Sequence, residues 1–284
     1  MTHRIGFLVC AMFSVAANAQ SQGRFEVASI KPNTTDEFRG ARLQTLPGGR
    51  LSITNTPLFM IIAAAYKVPF QSMRISGGPA WIRSEKYDIE AVAGVESLPP
   101  NLSQRARNDR MMLMLQALLA DRFGLTVQHN TKEVPAYAVL VARSGLKLQK
   151  SKDDEKDCPD QPAQGALGCH NFVGGMGRGM TAEAVSIADI ASWVENWADR
   201  PVVDKSGIAG LFALKTDGWV PMRPTPPRQT GASAPPGAGV AEDLSDPFRP
   251  TLFTVFDQMG LKLEAQKLPV DAYVIEKVER PSQN

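Results

Sequence analysis

The sequence predicts an α+β fold built as two duplicated lobes, and three observations carry that prediction. FGLTVQHNTKEVPAYAVLV (123–141) nearly recurs as MGLKLEAQKLPVDAYVIEK (259–277). Aligned without a gap, Gly124 meets Gly260, Leu125 meets Leu261, Val134 meets Val270, and Ala136-Tyr137 meets Ala272-Tyr273. The same order of periodic segments precedes each copy, and a polar insert falls at the corresponding place in both, at 94–109 and at 221–250.

Taken in order, each copy opens on a strand. RLSIT (50–54) alternates as a half-buried strand does, and its counterpart is 180–185. A helix follows. In the first copy Asn55 is the expected N-cap, with Pro57 in the first turn and Leu58, Ile61, Ile62 and Tyr66 at helical spacing. In the second, Ser186 and Asp189 make a capping box, and Ile187, Ile190, Val194 and Trp197 recur along one face. Tyr66 and Trp197 stand at matching distances from their caps, so both are expected to plug the same site. Then come a turn and a strand, within 74–93 and 200–218, where Tyr87, Ile89 and Ala91 alternate, as do Phe212 and Leu214. A second helix is expected at 110–123 and at about 251–259, with Gly124 and Gly260 supplying left-handed C-caps. Each copy closes with the repeated motif, read as strand, turn and strand.

The unit is β-α-β-β-α-β-β, and its economical packing is a small, mostly antiparallel sheet with two helices on one face. The expected lobes are 24–150 and 172–284, joined by an acidic linker at 151–171. The Pro/Gly-rich insert at 221–250 is expected to be a mobile loop.

Composition bounds the function. Arg4, the apolar run 5–15 and Ala17-Asn18-Ala19 read as an export signal cleaved after Ala19. The apolar run is shorter than the ~20 residues that a membrane-spanning helix needs. The mature chain is thus expected to be periplasmic or secreted, with no transmembrane segment. It keeps Cys158 and Cys169, most simply a disulfide pinning the linker and worth ~3 kcal/mol on loop entropy. A metal site of Cys158, Cys169 and His170 is the weaker reading, because the spacing is not that of paired ligands. The formal net charge is +2, with both signs interspersed, so no basic stripe for nucleic acid is present.

Chemical motifs are scarce. Only His129 and His170 survive the cleavage, the first opposite Ala265 in the repeat, the second in the linker, a poor place for preorganised geometry. GGMGRG (174–179) lacks the ending of a phosphate loop and reads as a hinge. The acidic run at 153–157 lacks calcium-loop spacing. Catalytic, cofactor and metal residues are therefore expected to be none. One alternative is a carboxylate-dependent hydrolase of envelope or extracellular polysaccharide, drawing on Asp88, Glu90, Asp204 or Asp217. The most suggestive polar constellation is the turn after each first helix: Gly77, Gly78, Trp81 and Arg83 in one copy, Arg200, Asp204 and Lys205 in the other. Paired glycines expose backbone N–H groups and a tryptophan offers a flat anchor. The competing reading is a pair of tight turns with Trp81 capping its core. On balance these are the candidate binding residues for an envelope protein or an extracellular ligand.

Several blocks carry a resemblance: FEVASIKP, GGRLSITN, ISGGPAWIRSEKYDIEA, MLQALLADRFGLTV with PAYAVLV, RPVVDKSGIAG and VIEKVERPSQN. Together they resemble a family of exported proteins of uncharacterised function, abundant in soil bacteria, chiefly Acidobacteria, and commonly called the soil-associated protein family. The resemblance covers 25–284 and implies a secreted or envelope protein. Relatives fused behind membrane metallopeptidase sensors of the antirepressor type imply a sensing or binding role. The family brings no catalytic residues to carry over. In element order alone, the units also resemble the small α+β interaction modules of secretins and TonB-dependent receptors, an analogy of fold that does not establish function.

Overall fold

In the computed structural model, residues 23–35, 40–159, 162–220, 222 and 248–281 are described. The expected signal at 1–19 and most of the 221–250 insert lie outside them. Over the described residues the chain is a mixed α+β fold of four helices and three four-stranded sheets.

The first outer sheet follows from period-two alternation. Strands β1 (Phe25–Asn33), β2 (Arg42–Leu46), β3 (Arg50–Pro57) and β5 (Lys86–Ala93) pair antiparallel in the order β1-β5-β3-β2. Leu51 and Ile53 on β3, and Tyr87, Ile89, Ala91 and Ala93 on β5, are buried on one face. Helix α1 (Leu58–Ala65) is apolar nearly all round and is buried along most of its length. Helix α2 (Gln104–Phe123) buries Met111, Met114, Leu115, Leu118, Leu119 and Phe123 in the same core.

Two expectations fail here. Asn55 does not cap α1: it sits at φ 51° in an irregularity of β3, its N–H donating to Asp88 Oδ1 at 2.7 Å. The helix starts after Pro57, which makes no side-chain cap. Helix α2 begins six residues before the expected position, because Ser103 accepts from Ala106 N and starts a polar first turn that apolar periodicity cannot reveal.

The second outer sheet comprises β7 (Gln149–Lys150), β8 (Val173–Gly175), β9 (Gly179–Val185) and β11 (Phe212–Lys215), in the order β7-β11-β9-β8. Shifted by six strands, this is the order of the first sheet. Helix α3 (Ile187–Glu195) starts on the expected Ser186–Asp189 capping box, and α4 (Leu252–Gln258) starts on Thr251. Both pack on a core whose largest fully buried side chain is Trp219. Trp197 packs against that core, as Tyr66 does against the first. It lies half-buried between Trp193 and Trp219, whereas Tyr66 pairs with Tyr273. GGMGRG is a hairpin between β8 and β9 rather than a hinge. A Cβ at Gly179 would lie 2.0 Å from the Thr216 carbonyl oxygen, so the turn is held closely against the end of β11.

The repeated motif departs furthest from expectation. Each copy is one continuous strand, β6 (Thr126–Val141) and β12 (Leu261–Lys277), and the two pair antiparallel along their length. With β4 (Ile75–Gly77) and β10 (Val202–Asp204) they form a central sheet ordered β10-β6-β12-β4. The lobes therefore do not close into separate sheets, as the sequence suggested. Pro135 and Pro269 look like turn residues, but both are accommodated. Tyr137 N–H points outward to Pro201 O (2.8 Å) and Tyr273 N–H outward to Arg74 O (2.7 Å). By the period of two, the nitrogens of Pro135 and Pro269 also face outward, beyond the three residues that β10 or β4 covers, where no ladder bond is lost. The register pairs Glu133 with Pro269, two positions that stand 136 apart, the same offset as the sequence repeat. Register and repeat thus share a centre.

Candidate functional site

The two candidate turns flank the central sheet at opposite edges, one after β4 and one after β10. Gly77 has φ 83° and a Cβ there would meet Ile275 O at 2.6 Å, so β4 lies hard against β12. Gly78 N–H is spent on the Ile275 carbonyl at 3.1 Å. Trp81 is half-buried under the Arg280 guanidinium (4.7 Å), which itself pairs with Glu85, and Arg83 stacks on Phe59. In the other turn Asp204 accepts from Ser206 N and Oγ at 2.8 and 2.7 Å, while Lys205 N–H donates to Val139 O. The fold does not gather these groups into one site. Only Arg200 opens onto a cavity that both halves line.

That cavity lies where the turn before β4 meets the turn before β10. Its organiser is Glu195, the last residue of α3, 1% exposed. One carboxylate oxygen accepts from Arg74 Nε (2.7 Å) and from the Ser72 hydroxyl, and the other from Val202 N (3.0 Å). The neighbouring Asn196 accepts from Gln71 N at 3.5 Å. A buried carboxylate with three donors is satisfied as a buried charge must be. This one fastens the 71–74 segment of the first half to the end of α3 in the second.

Beside this fastening is a groove of about 500 Å³. Met73, Val134, Pro135, Pro201, Val270 and Ala272 give it an aliphatic lining. Its charged members are Arg74, Arg200 and Asp199. Arg200 holds Asp199 through Nε (3.2 Å) and Nη2 (2.7 Å) and lies over the Tyr137 ring at 4.8 Å. Burial pushes the Asp199 carboxyl up, but the hydrogen bonds and charge of Arg200 outweigh it, and the group is held below its ordinary value. Arg74 is committed only through Nε; among the described residues nothing accepts from its two terminal nitrogens. Its charge also helps to hold Asp271 low, behind the stronger hydrogen bonds from Thr131 and His129.

A second polar cluster was invisible to the sequence. His170, at φ 59°, is not a loose linker residue: Nδ1 lies 2.7 Å from Asp189 Oδ2 and Nε2 lies 3.3 Å from Glu155 Oε2, the latter off line for a hydrogen bond. Arg105 of α2 reaches Glu155 (3.0 Å) and Asp189 (3.5 Å). The adjacent Cys169 is bonded to Cys158, as expected. The cluster joins α2, α3 and the disulfide loop. Among the described residues no group of three or more His, Cys, Asp or Glu is placed to hold a metal, and no helix is long and apolar enough to cross a membrane.

Compared with known families, residues 60–278 match the model described as "Protein of unknown function (DUF3738)". The chain belongs to this family. The matched span runs from α1 to the end of β12 and so contains every residue that lines the groove. No curated protein and no solved structure matches. The family supplies no chemistry, so the groove must be read from its own residues.

Proposed function

We propose that this DUF3738 protein is an exported, non-enzymatic binding module that holds its ligand or partner in the groove between two duplicated lobes. The observation that carries the reading is the groove itself, because it is lined from both halves and is fixed by a buried fastening between them. Small-molecule sites are typically concave, largely apolar and furnished with a few placed polar groups, which describes this lining.

Export is supported by the signal-like residues 1–19 and by the Cys158–Cys169 disulfide, a feature of oxidising compartments. It suits the envelope or secreted proteins of soil bacteria that the sequence blocks resemble. Duplication is supported by the matching strand orders of the outer sheets and by the shared centre of repeat and register. Gly77, Gly78, Trp81, Arg83, Asp204 and Lys205 would then hold the edges of the central sheet, with Arg200 facing the ligand.

The hydrolase reading is less well supported. Glycoside hydrolysis needs two carboxyl groups across a cleft, whereas the groove is lined by one, Asp199, which is held low by Arg200. Asp88 is engaged with Asn33 and Asn55, and Glu90 with Ser52, on the first outer sheet.

A photo-crosslinking residue at Met73, which is 63% exposed on the groove rim, tests the proposal. In native envelope extract it should capture a discrete species that Ala272→Trp, which fills the groove, abolishes. Equal capture from a remote position such as Val173, unaffected by Ala272→Trp, would remove the groove from consideration.

A further inference from the structure

We infer that the ligand of the groove is a small amphipathic monoanion, one carboxylate on an aliphatic body, seated with its head on the outer edge of the Arg74 guanidinium. The inference rests on the groove being the binding site and adds the class of ligand.

The body follows from the lining. Six of its residues are aliphatic or proline and none is aromatic, so there is no flat face on which a sugar or a base would stack. At about 500 Å³ the space suits a small molecule. The head follows from Arg74. Glu195 grips its Nε from behind at 2.7 Å and the side chain is 20% exposed, so the guanidinium is fixed before any ligand arrives. Little rotamer entropy then remains to be lost on binding. The two terminal nitrogens have no acceptor among the described residues, and a guanidinium edge offers two N–H groups with the spacing of a carboxylate.

The single charge follows from what else lines the groove. Pro135 and Pro201 carry no backbone N–H, no Lys, Ser or Thr contributes, and Arg200 is already engaged by Asp199. A phosphate dianion would find one guanidinium edge and a nearby carboxylate. A monoanion needs no more than that edge.

Calorimetric titration of the oxidised chain spanning residues 20–284 tests this with decanoate below its micelle concentration, methyl decanoate, inorganic phosphate and the tripeptide Ala-Ala-Leu. Decanoate should bind at least tenfold more tightly than the ester, with phosphate and tripeptide weaker still. The double variant Arg74→Gln with Glu195→Gln removes the ion pair without orphaning a charge. It should keep its circular dichroism spectrum and lose the preference for decanoate over the ester.

Equal binding of ester and decanoate, unchanged in the double variant, would overturn the head site and leave an apolar groove. Tighter binding of phosphate or of the tripeptide would overturn the ligand class. If no probe binds while Met73 still crosslinks an occupant, the ligand class is wrong and the groove stands. If Met73 captures nothing either, both readings fall.

Discussion

Removing the Glu195 carboxylate would leave three donors behind: Arg74 Nε, the Ser72 hydroxyl and the Val202 N–H. Breaking a buried ion pair by deleting one partner costs about 3–5 kcal/mol. Glu195→Ala should lower the urea stability by that order, and Glu195→Gln by less, because the amide oxygen can still accept. The second residue-scale prediction concerns pH. The hydrogen bond to Asp189 raises the His170 pKa above its ordinary 6.5, against the opposing effect of burial. Burial pushes Asp189 up, but bonds from His170 and Ser186 hold it below 3.8. A raised histidine contributes stability that is fully present below 6.5 and is lost as the pH climbs through the folded value. A lowered carboxylate contributes stability that is present above 3.8 and is lost as the pH falls through its folded value. The difference in Tm between the protein and His170→Gln should therefore be largest near pH 5–6 and shrink on the alkaline side. A difference independent of pH would mean that His170 acts through packing rather than through its charge facing Asp189, Glu155 and Arg105.

At the scale of elements, what the sequence made legible was local. Ser186 with Asp189 and the glycine after each second helix signal themselves within a few residues, and stand where expected. Ser186→Ala should cost about 1 kcal/mol in denaturant midpoint analysis, while Ser144→Ala, at an exposed turn residue outside any helix, should cost little. The long strands are not legible as such, because Pro135, Pro269 and the polar residues around Asn130 imitate a turn. Their extended state is imposed by a partner 120–151 residues distant, and no window on one strand contains that information. The site was illegible for the same reason. Ser72 and Arg74 lie more than 120 positions from Glu195 and share no pattern with it, and His170 becomes a clamp only when α2 and α3 close around it. Of the groove, the sequence points to Arg200 alone, through its place beside the glycine-containing turn at 204–207.

For the whole molecule, the continuous pairing of β6 with β12 makes each half part of the other's support. The core of the first half includes Ile275 of β12, and that of the second includes Tyr137 and Val139 of β6. Unfolding should therefore be a single transition. With Trp81→Phe, fluorescence reports only Trp193, Trp197 and Trp219 in the second half, while far-ultraviolet circular dichroism reports both. The two urea curves should coincide, and separated midpoints would show that the halves melt independently.

The shared centre at Glu133 and Pro269 also restricts how this chain can change over generations. A codon gained or lost within either long strand slides the pairing by one residue, and a slip of one turns every side chain beyond it to the opposite face. Val127 of β6 packs on one core and Tyr137 on the other, so wherever the slip begins, one of the two cores loses its residues. An insertion is tolerated only as a bulge, as already occurs between Ile275 and Lys277, or together with a matching insertion in the partner strand. The two strands can differ in residue type, as at His129 and Ala265, but in length they are bound to change together.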